Sequence, residues 1–167
     1  MGQERIQQYA IRRGVPEDAD AIYALYRSLI GVPYGTWSEE YPSRELVTED
    51  LRTQEVFVME GGEHLIAAIV SEESDEFDGM APWYPDVRRW AQLSRLGVAR
   101  DCQGRGIARR MLAYAMEQAK AEGYDAVRFL VGAQNLPAQR AYAGFHFDIC
   151  GEADAWGDRW LCYQKRL

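Results

Sequence analysis

Apolar positions along the chain fall into blocks that alternate between a helical and a strand period. Residues 9–13 read as a short strand (β1). Pro16-Glu-Asp18 then opens a helix (α1) that places Ala21, Ile22, Leu25, Tyr26 and Leu29 on one face. Gly31, Pro33, Gly35 and Pro42 punctuate a loop carrying Tyr34, Trp37 and Tyr41. Ser43 suits the N-cap of a second helix (α2) running to about Gln54. Residues 56–59 and 65–70 flank Gly61-Gly62 as a β-hairpin (β2, β3). An acidic, Pro- and Trp-rich loop follows, then a strand at 91–99 (β4) with Leu93, Leu96 and Val98 as core candidates. Residues 106–122 give the clearest helix (α3), with Ile107, Met111, Ala115 and Ala119 on one face and Gly123 as its stop. Residues 126–131 (β5), 137–143 (α4), 145–150 (β6) and 160–164 (β7) complete an α/β pattern. No repeat or linker interrupts it, so one domain over residues 1–167 is expected, in the order β1-α1-α2-β2-β3-β4-α3-β5-α4-β6-β7.

Composition narrows the functions open to this pattern. The chain has 167 residues, 47% apolar and 27% charged, an ordinary globular mix. Its 26 Asp+Glu outnumber 19 Lys+Arg, a net charge of −7, which argues against a general nucleic-acid partner and against anionic membranes. The balance is uneven. Arg100, Arg105, Arg109 and Arg110 against Asp101 make residues 100–110 a local +3, leaving −10 elsewhere. Residues 1–13 lack the apolar core of a secretory signal, and Ile6 stands where a myristoylation signal wants Ser or Thr. The longest aliphatic run, 65–70, is too short to span a bilayer. Cys102, Cys150 and Cys162 are odd in number without CxxC spacing, so a reducing cytoplasmic setting is expected. His64 and His146 lack metal-ligand spacing, and no metal is expected.

The basic island surrounds Gln103-Gly-Arg-Gly-Ile-Ala108, between β4 and α3. A strand–glycine turn–helix junction offers unpaired N–H groups and the positive end of a helix dipole. Acids usually occupy a first helical turn, yet after Asp101 the next acid is Glu117. A bound polyanion would reverse the cost of the arginines placed there. A tight turn with solvated arginines is the plainer alternative. The GxxxxGK[ST] phosphate loop is absent, and the GxGxxG/A dinucleotide pattern fails at Arg109.

The segment Gln103–Ala108 resembles the Q/R-x-x-G-x-G/A motif of the GNAT N-acetyltransferase superfamily, and the preceding Leu93-Ser-Arg-Leu-Gly-Val98 resembles that family's fourth strand. Asn135-Leu-Pro-Ala138-Gln-Arg-Ala-Tyr142 is similar to its N-x-x-A-x-x-x-Y signature. An ungapped continuation puts His146-Phe147 where the family usually has Gly-Phe; Gly144-Phe145 would fit only with a two-residue deletion. The resemblance covers about residues 9–167. It implies a GNAT-like domain with a mixed, mostly antiparallel sheet of about seven strands and four helices, acting as an acyltransferase. It implies acetyl-CoA as co-substrate, its pyrophosphate on the backbone of Gln103, Gly104, Arg105, Gly106, Ile107 and Ala108, and its pantetheine along Leu96 to Val98. Asn135 would contact the pantetheine or order water, and Tyr142 would protonate the departing thiolate. A phenol is mostly protonated at neutral pH, which suits that role.

The acceptor implied is a primary amine, either a small cation or a peptide amine, attacking directly in a ternary complex. It would enter between 31–42 and 71–90, where Glu39, Glu40, Glu72, Glu73, Asp75, Glu76 and Asp78 join Tyr34, Trp37, Tyr41, Trp83 and Tyr84. Acids with aromatics suit a cationic amine. A solvated acidic loop over core-capping aromatics is the alternative. Glu72, Glu73, a water relay or a proton lost by the substrate could each serve as base, since Ser94 and Arg95 put no carboxylate on β4. Cys102 reads either as a thiol activated for a covalent acyl-enzyme or as a bystander. A non-catalytic coenzyme-A sensor and an acidic interaction protein are the rival readings. Homodimers are common among similar proteins.

Overall fold

The computed structural model describes residues 9–167; the leader and myristoylation readings for residues 1–8 lie outside it. Its elements are β1 (Ile11–Arg13), α1 (Ala19–Ser28, after a 3-10 turn at Pro16–Asp18), α2 (Arg44–Thr53), β2 (Glu55–Gly61), β3 (His64–Glu72) and β4 (Trp90–Val98). Then follow α3 (Ile107–Ala121), β5 (Ala126–Gly132), α4 (Leu136–Tyr142), β6 (Asp148–Ala155) and β7 (Asp158–Arg166). The seven strands form a mixed sheet in the order β1-β2-β3-β4-β5-β7-β6, as the α/β reading requires. The chain divides into two compact units, one made of the chain up to Ser71 with Arg95–Ala115, the other of Glu72–Ser94 with Met116–Leu167.

In the first unit, β1, β2 and β3 run antiparallel, with Ile11 opposite Met59 and Val58 opposite Ala68. The helical face read from α1 is buried at Ile22, Leu25, Tyr26 and Leu29, whereas Ala21 is exposed. The buried four pack with Val47 of α2 and with Val56, Val58, Ala68 and Val70 of the hairpin. Ser43 caps α2 as expected, its Oγ accepting from Leu46 N–H at 3.1 Å. Two neighbours fix the end of β4. A Cβ on Gly97 would lie 3.0 Å from Leu29 Cδ1 and 3.2 Å from the Trp37 ring, so a larger residue would have to push these side chains back by a few tenths of an ångström. Ile107, Met111, Leu112 and Ala115 bury the apolar side of the first α3 turns.

In the second unit, β4 pairs in parallel with β5 only over Trp90–Gln92 and Ala126–Arg128. β5 pairs antiparallel with β7 along the whole of β5, Ala126–Gly132 against Trp160–Arg166. β6 and β7 form a longer hairpin than its apolar residues suggest, with φ of 52° at Trp156 and 82° at Gly157, both left-handed as a two-residue primed turn demands. Phe145 belongs to a 3-10 turn (Ala143–Phe145) rather than to β6. The reason is visible in that turn's last backbone bond, His146 N–H to Ala143 O, which continues the helix for three residues before the strand begins.

Candidate active site

In the first unit the glycine turn and the last residues of β4 lie next to each other. Gln103 is exposed but not idle, because its Nε2 donates to Val98 O at 3.0 Å and ties the turn to the strand. Gly104 and Gly106 have φ of 75° and 79°, a region glycine enters without the steric penalty of a Cβ. A Cβ at either would meet nothing within 4 Å, so conformation and not packing makes them glycine. Helical bonding in α3 starts with Arg110 N–H to Gly106 O at 3.1 Å. The N–H groups of Ile107 and Ala108 therefore have no carbonyl within the helix, and the first turn holds no acid. Arg105 stands exposed on the turn. Arg100 has other work: Nε and Nη2 donate to Ser28 O and Ile30 O at 2.6 and 2.7 Å, satisfying the end of α1.

The surroundings of Cys102 disfavour its thiolate. Burial and the neighbouring Asp101 carboxylate, which its Sγ approaches to 3.6 Å, raise its pKa, and these outweigh the opposing pull of Arg105. This favours the bystander reading.

The strand ahead of the turn departs from simple alternation. Arg95 has φ of 49°, a left-handed non-glycine residue inside β4. The kink changes which side chains are buried. Leu93 and Val98 are core, as read from the sequence, but Leu96 is only half-buried. The Arg95 side chain is buried and forms a bidentate pair with Asp50, Nε to Oδ2 at 2.7 Å and Nη2 to Oδ1 at 2.8 Å. Nothing in the local sequence Leu-Ser-Arg-Leu signals this, since the partner lies 45 residues away.

In the second unit, Asn135 caps α4. Its Oδ1 accepts from Ala138 N–H at 3.1 Å. Tyr142 ends the same helix, its ring edge-on to Phe129 at 5.6 Å. Phe129 is in turn flanked by Phe147 at 4.9 Å and Tyr163 at 5.4 Å. Burial in this aromatic setting, with a smaller contribution from Tyr163, pushes the Tyr142 phenol up to about 12. His146 adopts φ 58°, ψ 45°, the left-handed position that the ungapped alignment gives to a glycine.

The acidic residues of 72–78 are more committed than their number suggests. Glu73 pairs with Arg89 at 3.0 Å and Asp78 with Arg128 at 3.4 Å. Glu72 Oε1 accepts from Gln92 Nε2 at 3.0 Å and from Ser94 Oγ at 3.2 Å. Gln92, overlooked in the sequence because glutamine in a strand has no distinctive spacing, also reaches Glu76 at 3.3 Å. Trp83 is buried, with Nε1 on Phe77 O at 2.7 Å, and Tyr84 stacks under Arg166 at 3.9 Å. In the first unit Glu39 pairs with Arg27 at 2.7 Å, and Trp37 packs on Tyr26 at 4.7 Å. Tyr34 and Tyr41 are the exposed aromatics of that loop. Among the described residues, no three His, Cys, Asp or Glu side chains converge to hold a metal, and no helix is long and apolar enough to cross a membrane.

The family model for the acetyltransferase (GNAT) family matches residues 22–147, and the chain belongs to that family. It is an acetyltransferase by that membership. Solved structures agree on the fold. A ribosomal-protein-alanine N-acetyltransferase from Brucella melitensis superposes with a TM-score of 0.74 at 22% identity, over 95% of this chain and 99% of that one. The yncA protein of Salmonella typhimurium, solved with its cofactor acetyl-CoA, gives 0.75 at 18% identity, over 96% and 94%. The ribosomal-protein-S18-alanine N-acetyltransferase of Escherichia coli gives 0.72 at 16% identity, over 95% and 94%. No curated protein matches the sequence significantly.

Proposed function

We propose that the protein is a single-domain, cytoplasmic N-acetyltransferase that moves the acetyl group of acetyl-CoA to a primary amine by direct attack. The observation that carries this reading is the turn at Gly104–Gly106. Two glycines in left-handed conformation open onto free space, and the helix start behind them offers N–H groups without helical carbonyls and holds no acid. Gln103, Gly104, Arg105, Gly106, Ile107 and Ala108 are assigned to the pyrophosphate, and Leu96, Val98 and Asn135 to the pantetheine.

A base takes the proton of the ammonium, and the free amine nitrogen attacks the thioester carbonyl. The C–S bond breaks and the thiolate takes the Tyr142 proton, while the proton shed by the new amide returns to the phenolate through solvent. Burial keeps that phenol protonated throughout the neutral range, as a donor must be. Glu72, which accepts from Gln92 and Ser94, and Glu73, paired with Arg89, are the candidate bases, beside a water relay. The acceptor is a small cationic amine or a peptide amine, the latter being the substrate class named for two of the structural neighbours. Coenzyme A release is measured with a panel of polyamines, amino acids and peptide N-termini, beside acetyl-CoA titration of the protein and of Gly106→Glu. Thiol release with at least one amine, and loss of acetyl-CoA binding in Gly106→Glu, are expected. Unaltered tight binding in Gly106→Glu would sink the phosphate assignment, and binding without any acetyl transfer would favour a sensor.

A further inference from the structure

We infer that Asp50 and Tyr26 are positioning residues for the cofactor edge of β4: together they hold Arg95 in its left-handed conformation and so set the direction of Leu96–Val98. The inference rests on the assignment of that edge to pantetheine. A mid-strand arginine at φ 49° is strained, and such residues persist only where their surroundings over-determine them. Here the two ends of the residue are held separately. The guanidinium grips the Asp50 carboxylate with two bonds of 2.7 and 2.8 Å, both side chains being more than nine-tenths buried. The backbone carbonyl of the same residue accepts from the Tyr26 hydroxyl at 2.9 Å, from a side chain only 1% exposed.

The anchors come from different helices, Tyr26 from α1 and Asp50 from the inner face of α2 beside Val47. A buried ion pair is seldom more stabilising than a well-packed apolar pair, so its value at this point is geometric. Downstream, Gly97 is seated against Leu29 and Trp37, and Val98 O is taken by Gln103. Arg95, Gly97 and Val98 are thus each held by neighbours before any ligand arrives. Arg95 also donates from Nη1 to the Tyr41 hydroxyl at 3.3 Å, which links the same device to the loop between α1 and α2.

Two double variants isolate the backbone effect from the charge. Asp50→Leu with Arg95→Gly and Asp50→Leu with Arg95→Ala both remove the pair without stranding a buried charge, but only glycine enters the left-handed region freely. By calorimetric titration, the glycine version is expected to bind acetyl-CoA within about twofold of the unmodified protein, and the alanine version about tenfold more weakly. Tyr26→Phe, a change of one hydroxyl, is expected to weaken binding about fivefold and keeps the test open should the alanine version not fold. Equal affinities for the glycine and alanine versions, or an unchanged affinity in Tyr26→Phe, would overturn the positioning role alone. Failure of the unmodified protein to bind acetyl-CoA would overturn the cofactor reading and this one with it.

Discussion

Tyr142 shows how a side chain acquires its chemistry from residues remote in sequence. Its phenol is raised to about 12 by burial against Phe129, so the folded chain holds that proton more tightly than the unfolded chain does. The sign follows from linkage. The stabilisation is complete below the unfolded value near 10 and is lost as pH rises through about 12. A step that uses this proton should show no alkaline decline of its own between about pH 7 and 9. Tyr142→Phe is expected to lower kcat about 100-fold while acetyl-CoA affinity stays within about twofold, measured by steady-state kinetics and by titration. A comparable loss in binding would assign the tyrosine to the cofactor instead. The residue and its spacing from Asn135 were readable in the sequence. Its environment was not, because Phe129, Phe147 and Tyr163 come from β5, the turn before β6, and β7. Arg95 was less legible still, since an arginine in an alternating strand gives no sign of a left-handed backbone.

At the level of elements, the helices were the most legible because burial follows their period. The four α3 positions on one face, Ile107, Met111, Ala115 and Ala119, are all buried. The β6–β7 hairpin was the least legible. Most of β6 is exposed or half-buried, so its polar residues give no alternation to read, and its turn uses Trp156 where Asn or Asp would have signalled it. The junction after α4 offers a direct test. His146 occupies a left-handed position, φ 58°, that costs an L-residue about 1–2 kcal/mol and glycine almost nothing. After allowing for the greater freedom of glycine in the unfolded chain, His146→Gly should stabilise the protein by about 0.5–1 kcal/mol in urea denaturation. Destabilisation would mean that the imidazole makes a contact worth more than the backbone strain.

Across the whole molecule, the distribution of charge was legible and its pairing was not. The net −7 with a +3 segment can be counted from the sequence. That Glu39 is matched by Arg27, Glu73 by Arg89 and Asp78 by Arg128 depends on folding, and it reduces the acid left to attract a cationic amine. The basic segment, by contrast, keeps Arg105 exposed on the turn assigned to the pyrophosphate. Raising salt from about 0.05 to 0.5 M should therefore raise the KM for acetyl-CoA several-fold, an effect of screening between exposed charges. A KM indifferent to salt would leave the backbone N–H groups as the whole of the phosphate recognition.

Arg100 bears differently on that basic segment. Its two bonds to the Ser28 and Ile30 carbonyls, 2.6 and 2.7 Å, use the forked shape of the guanidinium as much as its charge. A lysine at 100 would preserve every count of charge and still be unable to span both carbonyls with one planar group. A lysine at 105 would keep what a phosphate senses. Within eleven residues, then, evolution would be free to exchange one arginine for lysine and bound to retain the other, and sequence drift at these two positions would tell shape from charge.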